Sequence, residues 1–210
     1  MAARSALVLT LLAALAALIL SSVHQVTRDA IDEAERRAAL KPLEELYPAL
    51  RESDELLALS VSSVDLGELG AANNAVIHAV KREGQILAFI IPAVAPDGYS
   101  GAIHLLAGVD SAGTLTGVRA VRHSETAGLG DNIEPHNSEW ILTFDGKSLG
   151  NPVSENWRIK KDGGDFDQLS GATITSRAVV TRVHQLLLFF VEHRDALMQS
   201  AATMETSAHE

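Results

Sequence analysis

Ser170-Gly171-Ala172-Thr173-Ile174-Thr175-Ser176 sets small residues and hydroxyls directly ahead of a long apolar helical pattern. Such a combination suits an anionic oxygen cluster. Glycine permits close backbone approach, alanine adds no bulk, and a helix start offers free amides and the positive end of its dipole. An ordinary N-cap, in which Ser170, Thr173 or Thr175 only satisfies backbone donors, accounts for the same residues. A second glycine-bearing segment, Glu125-Thr126-Ala127-Gly128-Leu129-Gly130-Asp131, is consistent with a simple turn or with a loop that approaches a ligand.

Other chemistries find less support. Asp162, Asp165 and Asp167 lack the EF-hand spacing and suit a turn. The eight histidines include no His-Glu-x-x-His pair. Gly98-Tyr99-Ser100-Gly101-Ala102 lacks the last glycine of a hydrolase nucleophile elbow. Gly128-Leu129-Gly130-Asp131 lacks the third glycine and the strand-to-helix context of a dinucleotide fingerprint.

The elements that must position these residues follow from pattern. Ala75–Val80, Gln85–Ala95, Ser100–Val109 and Thr114–His123 are strand candidates, with Pro96-Asp97-Gly98 and Asp110-Ser111-Ala112-Gly113 as turns. Leu56–Ala72 is weakly patterned and stays unassigned. Asn137–Phe144 suits a short helix capped by Asn137 or Ser138, and Trp157–Lys160 a last strand. From about Thr175, Val180, Val183, Leu187 and Val191 recur at helical spacing and predict a helix to about Met198. Ala201–Glu210 suits a frayed tail. The expected fold is α+β: an antiparallel sheet packed by the long C-terminal helix.

Composition narrows the class. Of 210 residues, 17 are basic and 27 acidic, a net charge of −10 with no basic stripe, which argues against a nucleic-acid partner. The absence of cysteine excludes disulfides, thiolate metal sites and a cysteine nucleophile. Ser5–Val23 carries no charge over about 19 residues, against the roughly 20 that span a bilayer, and exceeds the usual apolar stretch of a cleaved signal peptide. A retained anchor is favoured. Arg4 on one side and Arg28, Arg36, Arg37 and Lys41 on the other leave its orientation open by charge alone. Thr27–Leu40 suits a charged helical stalk that ends before Pro42 and Pro48. The chain therefore divides into an anchor at 1–26, a stalk and connecting region at 27–72, a folded domain at 73–200 and a tail at 201–210.

Asp167-Gln168-Leu169-Ser170-Gly171-Ala172-Thr173-Ile174-Thr175 resembles the flavinylation motif of FMN-binding domains, with an aspartate six residues before a threonine. Pro96–Ile103, His123–Asp131 and Trp157–Asp167 extend the likeness to the RnfG family, the G component of Rnf ion-translocating electron transport complexes. The C component of the sodium-translocating NADH:quinone oxidoreductase is more distantly similar. The sequence departs from the RnfG family at Ala127, where proline is expected.

The resemblance implies a bacterial inner-membrane, single-pass flavoprotein subunit with its soluble domain on the periplasmic side. It would carry electrons within a complex that couples electron transfer between ferredoxin and NAD to ion movement, with no substrate turnover of its own. Its partners would be the other subunits of the complex. A separate flavin transferase using FAD as donor would install FMN as a phosphoester on Thr173. Thr175 would support the site, beside Ser170, Gly171 and Ala172, and Asp167 would be part of the signal that the transferase recognises. Glu125, Thr126, Gly128 and Leu129 become candidate ring contacts. Tyr99 becomes a stacking candidate, although core packing accounts for it too, and Lys160 could balance the phosphate. Two other readings remain: a tethered extracytoplasmic module that binds a phosphate-containing ligand non-covalently, and a structural subunit without flavin.

Overall fold

The computed structural model describes residues 55–59, 64–72 and 75–207, together with Leu46. The apolar span Ser5–Val23 and the stalk Thr27–Leu40 lie outside the described residues. Strands β1 (Glu55–Leu59), β2 (Ile77–Arg82), β3 (Gln85–Gly98), β4 (Gly101–Asp110) and β5 (Leu115–Arg122) form one sheet in chain order. Every neighbouring pair is antiparallel. Four of these strands overlap the four expected. β1 lies in the stretch left unassigned, so the sheet begins upstream of the boundary expected at 73.

Side-chain alternation explains how β3 serves two faces. Phe89, Ile91, Ala93 and Ala95 point into the main core, while Ala88 and Ile90 join Leu46 and Val80 in a smaller cluster on the opposite side. Pro92, which lacks an amide donor, lies beyond Ile90, where the pairing with β2 ends. The turn between β2 and β3 uses Glu83 and Gly84, both at positive φ, the backbone that two-residue hairpins favour. Between β3 and β4, Gly98 pairs with Gly101, leaving Tyr99 and Ser100 as the turn tip.

The long helix, α1 (Thr173–Ser207), starts two residues before its expected position and takes in most of the expected tail. Val179, Val180, Val183, Leu186, Leu187 and Phe190 are buried against the sheet. Val191, expected on that stripe, is 59% exposed, because the stripe steps from Leu187 to Phe190 instead. Phe190 meets Phe89 of β3 at 5.8 Å between ring centroids. Truncating a ring in this position costs about 3–5 kcal/mol. Residues 173–203 are long and apolar enough to cross a bilayer, but 56% of the apolar window is buried, as suits a core helix.

Between β5 and α1 the chain runs through short 3-10 turns, including Trp140–Phe144 and Lys160–Asp162. The helix expected over Asn137–Phe144 is thus a 3-10 turn, with Ser138 Oγ accepting the Trp140 amide at 3.0 Å. The strand expected over Trp157–Lys160 reduces to one bridge, Ile159 to Phe166. Aromatic packing replaces regular hydrogen bonding here: Phe166 lies 4.8 Å from Trp157 and 5.0 Å from Phe144.

Candidate functional site

The approach to α1 is shaped by Gly171 and Ser176. Gly171 has φ +76°, and a β-carbon there would lie 2.9 Å from Leu129 Cδ2, so glycine lets the loop rest on the helix start. Ser176, fully buried, accepts the Leu169 amide through Oγ at 2.9 Å and donates to the Ala172 carbonyl at 3.0 Å. Ala172 is buried and its amide closes a turn onto the Leu169 carbonyl at 3.1 Å. Ser170 is exposed.

These contacts leave the next groups free. The amides of Thr173, Ile174 and Thr175 have no helical acceptor, and among the described residues they donate to no other group. Thr173 is half-buried, and its hydroxyl likewise makes no hydrogen bond among the described residues. Thr175 differs sharply. It is fully buried and donates to Glu125 Oε2 at 2.5 Å.

Glu125 ties three separate elements together. Its other oxygen accepts the Ser100 amide at 3.0 Å, so one carboxylate joins the β3–β4 turn, the loop after β5 and the start of α1. The side chain is buried, and Gly130 makes room for it: a β-carbon at 130 would lie 2.7 Å from Oε2. The Glu125 amide donates to His123 Nδ1 at 3.2 Å, which puts the His123 proton on Nε2, facing Glu134 Oε1 at 2.7 Å. His136 contacts the other Glu134 oxygen at 2.9 Å. Glu125 therefore directs its carboxylate into the fold.

In the same loop, the Leu129, Gly130 and Asp131 amides all converge on the Thr126 carbonyl at 3.1, 2.9 and 3.3 Å. Thr126, Ala127 and Gly128 keep amides without an acceptor among the described residues. Each element joined by Glu125 also exposes one large apolar side chain: Tyr99 at 67%, Leu129 at 43% and Ile174 at 45%. Tyr99 is not a core residue, because the two-residue turn projects it outward. Ile174, with Pro96, Asp97 and Arg177, lines a groove of about 250 Å³ beside the helix start.

Asp167 and Lys160 lie together at the surface, with Lys160 Nζ 2.8 Å from the Asp167 carboxylate. The backbone of Asp167 is fixed by the Trp140 indole, which donates to its carbonyl at 2.6 Å. The side chain of Asp167 also borders a cleft of about 470 Å³ with Asp145, Lys147 and Phe166. Burial raises the Asp145 carboxyl pKa, and the nearby charge of Arg119 opposes that rise. Arg177, one turn into α1, grips Asp162 through two hydrogen bonds and lowers that carboxyl's pKa. Sequence reasoning passed over Trp140, His123 and Arg177. Only Arg177 carried a usable local signal, its four-residue spacing from Thr173 on one helix.

Residues 98–188 match the FMN-binding domain family, and residues 1–46 match the RnfG N-terminal region. Among curated proteins, the G component of an ion-translocating oxidoreductase complex from Pseudomonas aeruginosa is 44% identical over 207 residues, covering 99% of this chain and 95% of its own length. Proteins of the same description from Aliivibrio fischeri and Vibrio atlanticus are 37% and 38% identical, covering 97% and 93% of each chain respectively. Similarity of this degree over nearly the full length shows that this chain belongs to the RnfG family, the G components of ion-translocating oxidoreductase complexes.

Proposed function

We propose that this chain is an electron-carrying flavoprotein subunit of a membrane-bound ion-translocating oxidoreductase, with FMN joined through a phosphoester to Thr173. The observation that carries this reading is the contrast between two threonines two positions apart. Among the described residues, Thr173 has an unengaged, half-buried hydroxyl beside three amides without acceptors, whereas Thr175 is fully buried and committed to Glu125.

The residues fit the group on three counts. A phosphodiester bears one negative charge near neutral pH, and the free amides and dipole at the start of α1 favour it by about 0.3–1 kcal/mol. Tyr99, Leu129 and Ile174, each on an element that Glu125 joins, offer exposed apolar surface to a planar ring. The Thr126, Ala127 and Gly128 amides supply donors for ring heteroatoms. Bound FMN supplies one- and two-electron transfer. The chain's own residues hold its phosphate, orient the loop through Glu125 and present apolar walls, so Glu125 acts as a positioning residue.

Other parts of the proposal rest on family membership. The complex would couple electron transfer between ferredoxin and NAD to ion movement, and this subunit would turn over no substrate itself. A flavin transferase with FAD as donor would modify Thr173, reading Asp167 as part of its signal. Ser5–Val23 would anchor the chain in the inner membrane with the folded domain on the periplasmic side. A reporter fused after Glu210 that works only outside the cytoplasm tests that side, and activity of a cytoplasm-only reporter would overturn it.

Denaturing gel fluorescence of the full chain, co-expressed with the transferase, tests the attachment. Thr173→Val abolishes the fluorescent band and Thr175→Val retains it. The reverse result would falsify the assignment. Flavin that leaves the chain on unfolding would instead favour a non-covalent phosphate-binding module.

A further inference from the structure

Cations gather near the start of α1 although the chain carries a net charge of −10. Asp162 is faced by Arg177, Lys161 and Arg158, which lower its carboxyl pKa, the hydrogen bond from Arg177 contributing most. Arg177 holds it with Nε at 2.5 Å from Oδ2 and Nη2 at 2.9 Å from Oδ1. The two side chains are 46% and 31% exposed, and pairs of this kind contribute little net stability. Arg177 also stands four residues after Thr173, a spacing that makes two side chains neighbours on one helix face. Because helical side chains lean toward the N-terminus, the arginine stem is directed back toward the threonine.

We infer that Arg177 is the counter-ion of the phosphoryl group received by Thr173, exchanging its hold on Asp162 for the phosphate as transfer proceeds. This rests on the reading of Thr173 as the flavin-bearing residue. In the transfer, Thr173 Oγ forms a bond to the flavin-side phosphorus of flavin adenine dinucleotide. The phosphoanhydride bond breaks, AMP leaves with the bonding electron pair, and the hydroxyl proton passes to a base on the transferase. A guanidinium fork matches phosphate oxygens as well as it matches a carboxylate. Asp162 thus competes with the phosphate for Arg177, and once the arginine has moved, the charges of Lys161 and Arg158 still favour the ionised Asp162 carboxyl through space. The acceptor chain thus contributes a charge to its own modification.

The initial rate of flavin incorporation, followed by in-gel fluorescence with purified transferase, FAD and the full chain in detergent, tests the exchange. Arg177→Met is about tenfold slower, equivalent to about 1.4 kcal/mol of barrier, and Arg177→Lys recovers part of the loss. Asp162→Asn, which breaks the same ion pair, runs as fast as the unmodified sequence or faster. Equal slowing of Arg177→Met and Asp162→Asn would show that the pair only braces the fold and would overturn the inference. A normal rate in Arg177→Met would overturn it too. Failure of the underlying reading is distinct: Thr173→Val would still fluoresce.

Discussion

Replacing Glu125 probes the junction that brings the site together. Its carboxylate accepts the Thr175 hydroxyl at 2.5 Å and the Ser100 amide at 3.0 Å. Thr175 is fully buried, so Glu125→Ala leaves its hydroxyl with no water to replace the lost acceptor, whereas Ser100 is exposed and turns to solvent. A hydrogen bond to a charged group contributes about 1.5–3 kcal/mol, and an orphaned buried donor adds to its loss, which sets the expected cost near 3 kcal/mol. Glu125→Gln still accepts from Thr175 and should cost about 1 kcal/mol. Thr175→Val, which leaves the buried carboxylate short of a donor, should cost about 2 kcal/mol. Because both single changes remove one shared bond, the double variant should cost about 3 kcal/mol, a coupling of about 2 kcal/mol. Urea unfolding of the detergent-solubilised chain, followed by tryptophan fluorescence, measures each value. Additivity of the two single costs to within about 0.5 kcal/mol would refute the clamp.

Gly130→Ala would push a β-carbon to 2.7 Å from Glu125 Oε2 and 3.2 Å from Thr175 Oγ1, so it should cost about 2 kcal/mol and lower flavin incorporation. An unchanged urea midpoint would contradict that crowding. Trp140→Phe removes the indole donor to the Asp167 carbonyl, which should cost about 1 kcal/mol and slow flavin transfer by freeing the backbone ahead of Thr173; an unchanged transfer rate would dissociate that anchor from recognition. His184 stacks on Trp157, and burial lowers its pKa. Its neutral form is the one favoured by folding. It therefore adds no penalty above its unfolded value of about 6.5, and stability falls as pH drops below that value toward the depressed folded pKa. His184→Gln should flatten that part of the curve of unfolding free energy against pH, and an unaltered slope would exclude His184 as a source.

Four strands were legible because apolar alternation and glycine or proline turns repeat along residues 75–123, and α1 was legible because buried positions recur at helical spacing. The segment between β5 and α1 was less legible. Its order comes from stacked Trp157, Phe144 and Phe166 rather than from a repeating pattern, so Asn137–Phe144 and Trp157–Lys160 suggested regular elements that the chain does not form. The same limit applies at the site. Thr175 and Glu125 are separated by 50 residues, and nothing local to either predicts their bond. Glycine spacing and the serine–threonine run showed which segments could approach a ligand; the sheet meander and the Glu125 carboxylate determine that they meet.

The most direct test of the central claim is peptide mapping of the fluorescent chain. Trypsin cleavage after Lys161 and Arg177 releases Asp162–Arg177, which contains Ser170, Thr173, Thr175 and Ser176. With transferase present, the flavin should remain on this peptide, and fragmentation should locate the phosphoester at Thr173. A flavin-free chain under those conditions, or a flavin on any other residue, would contradict the account.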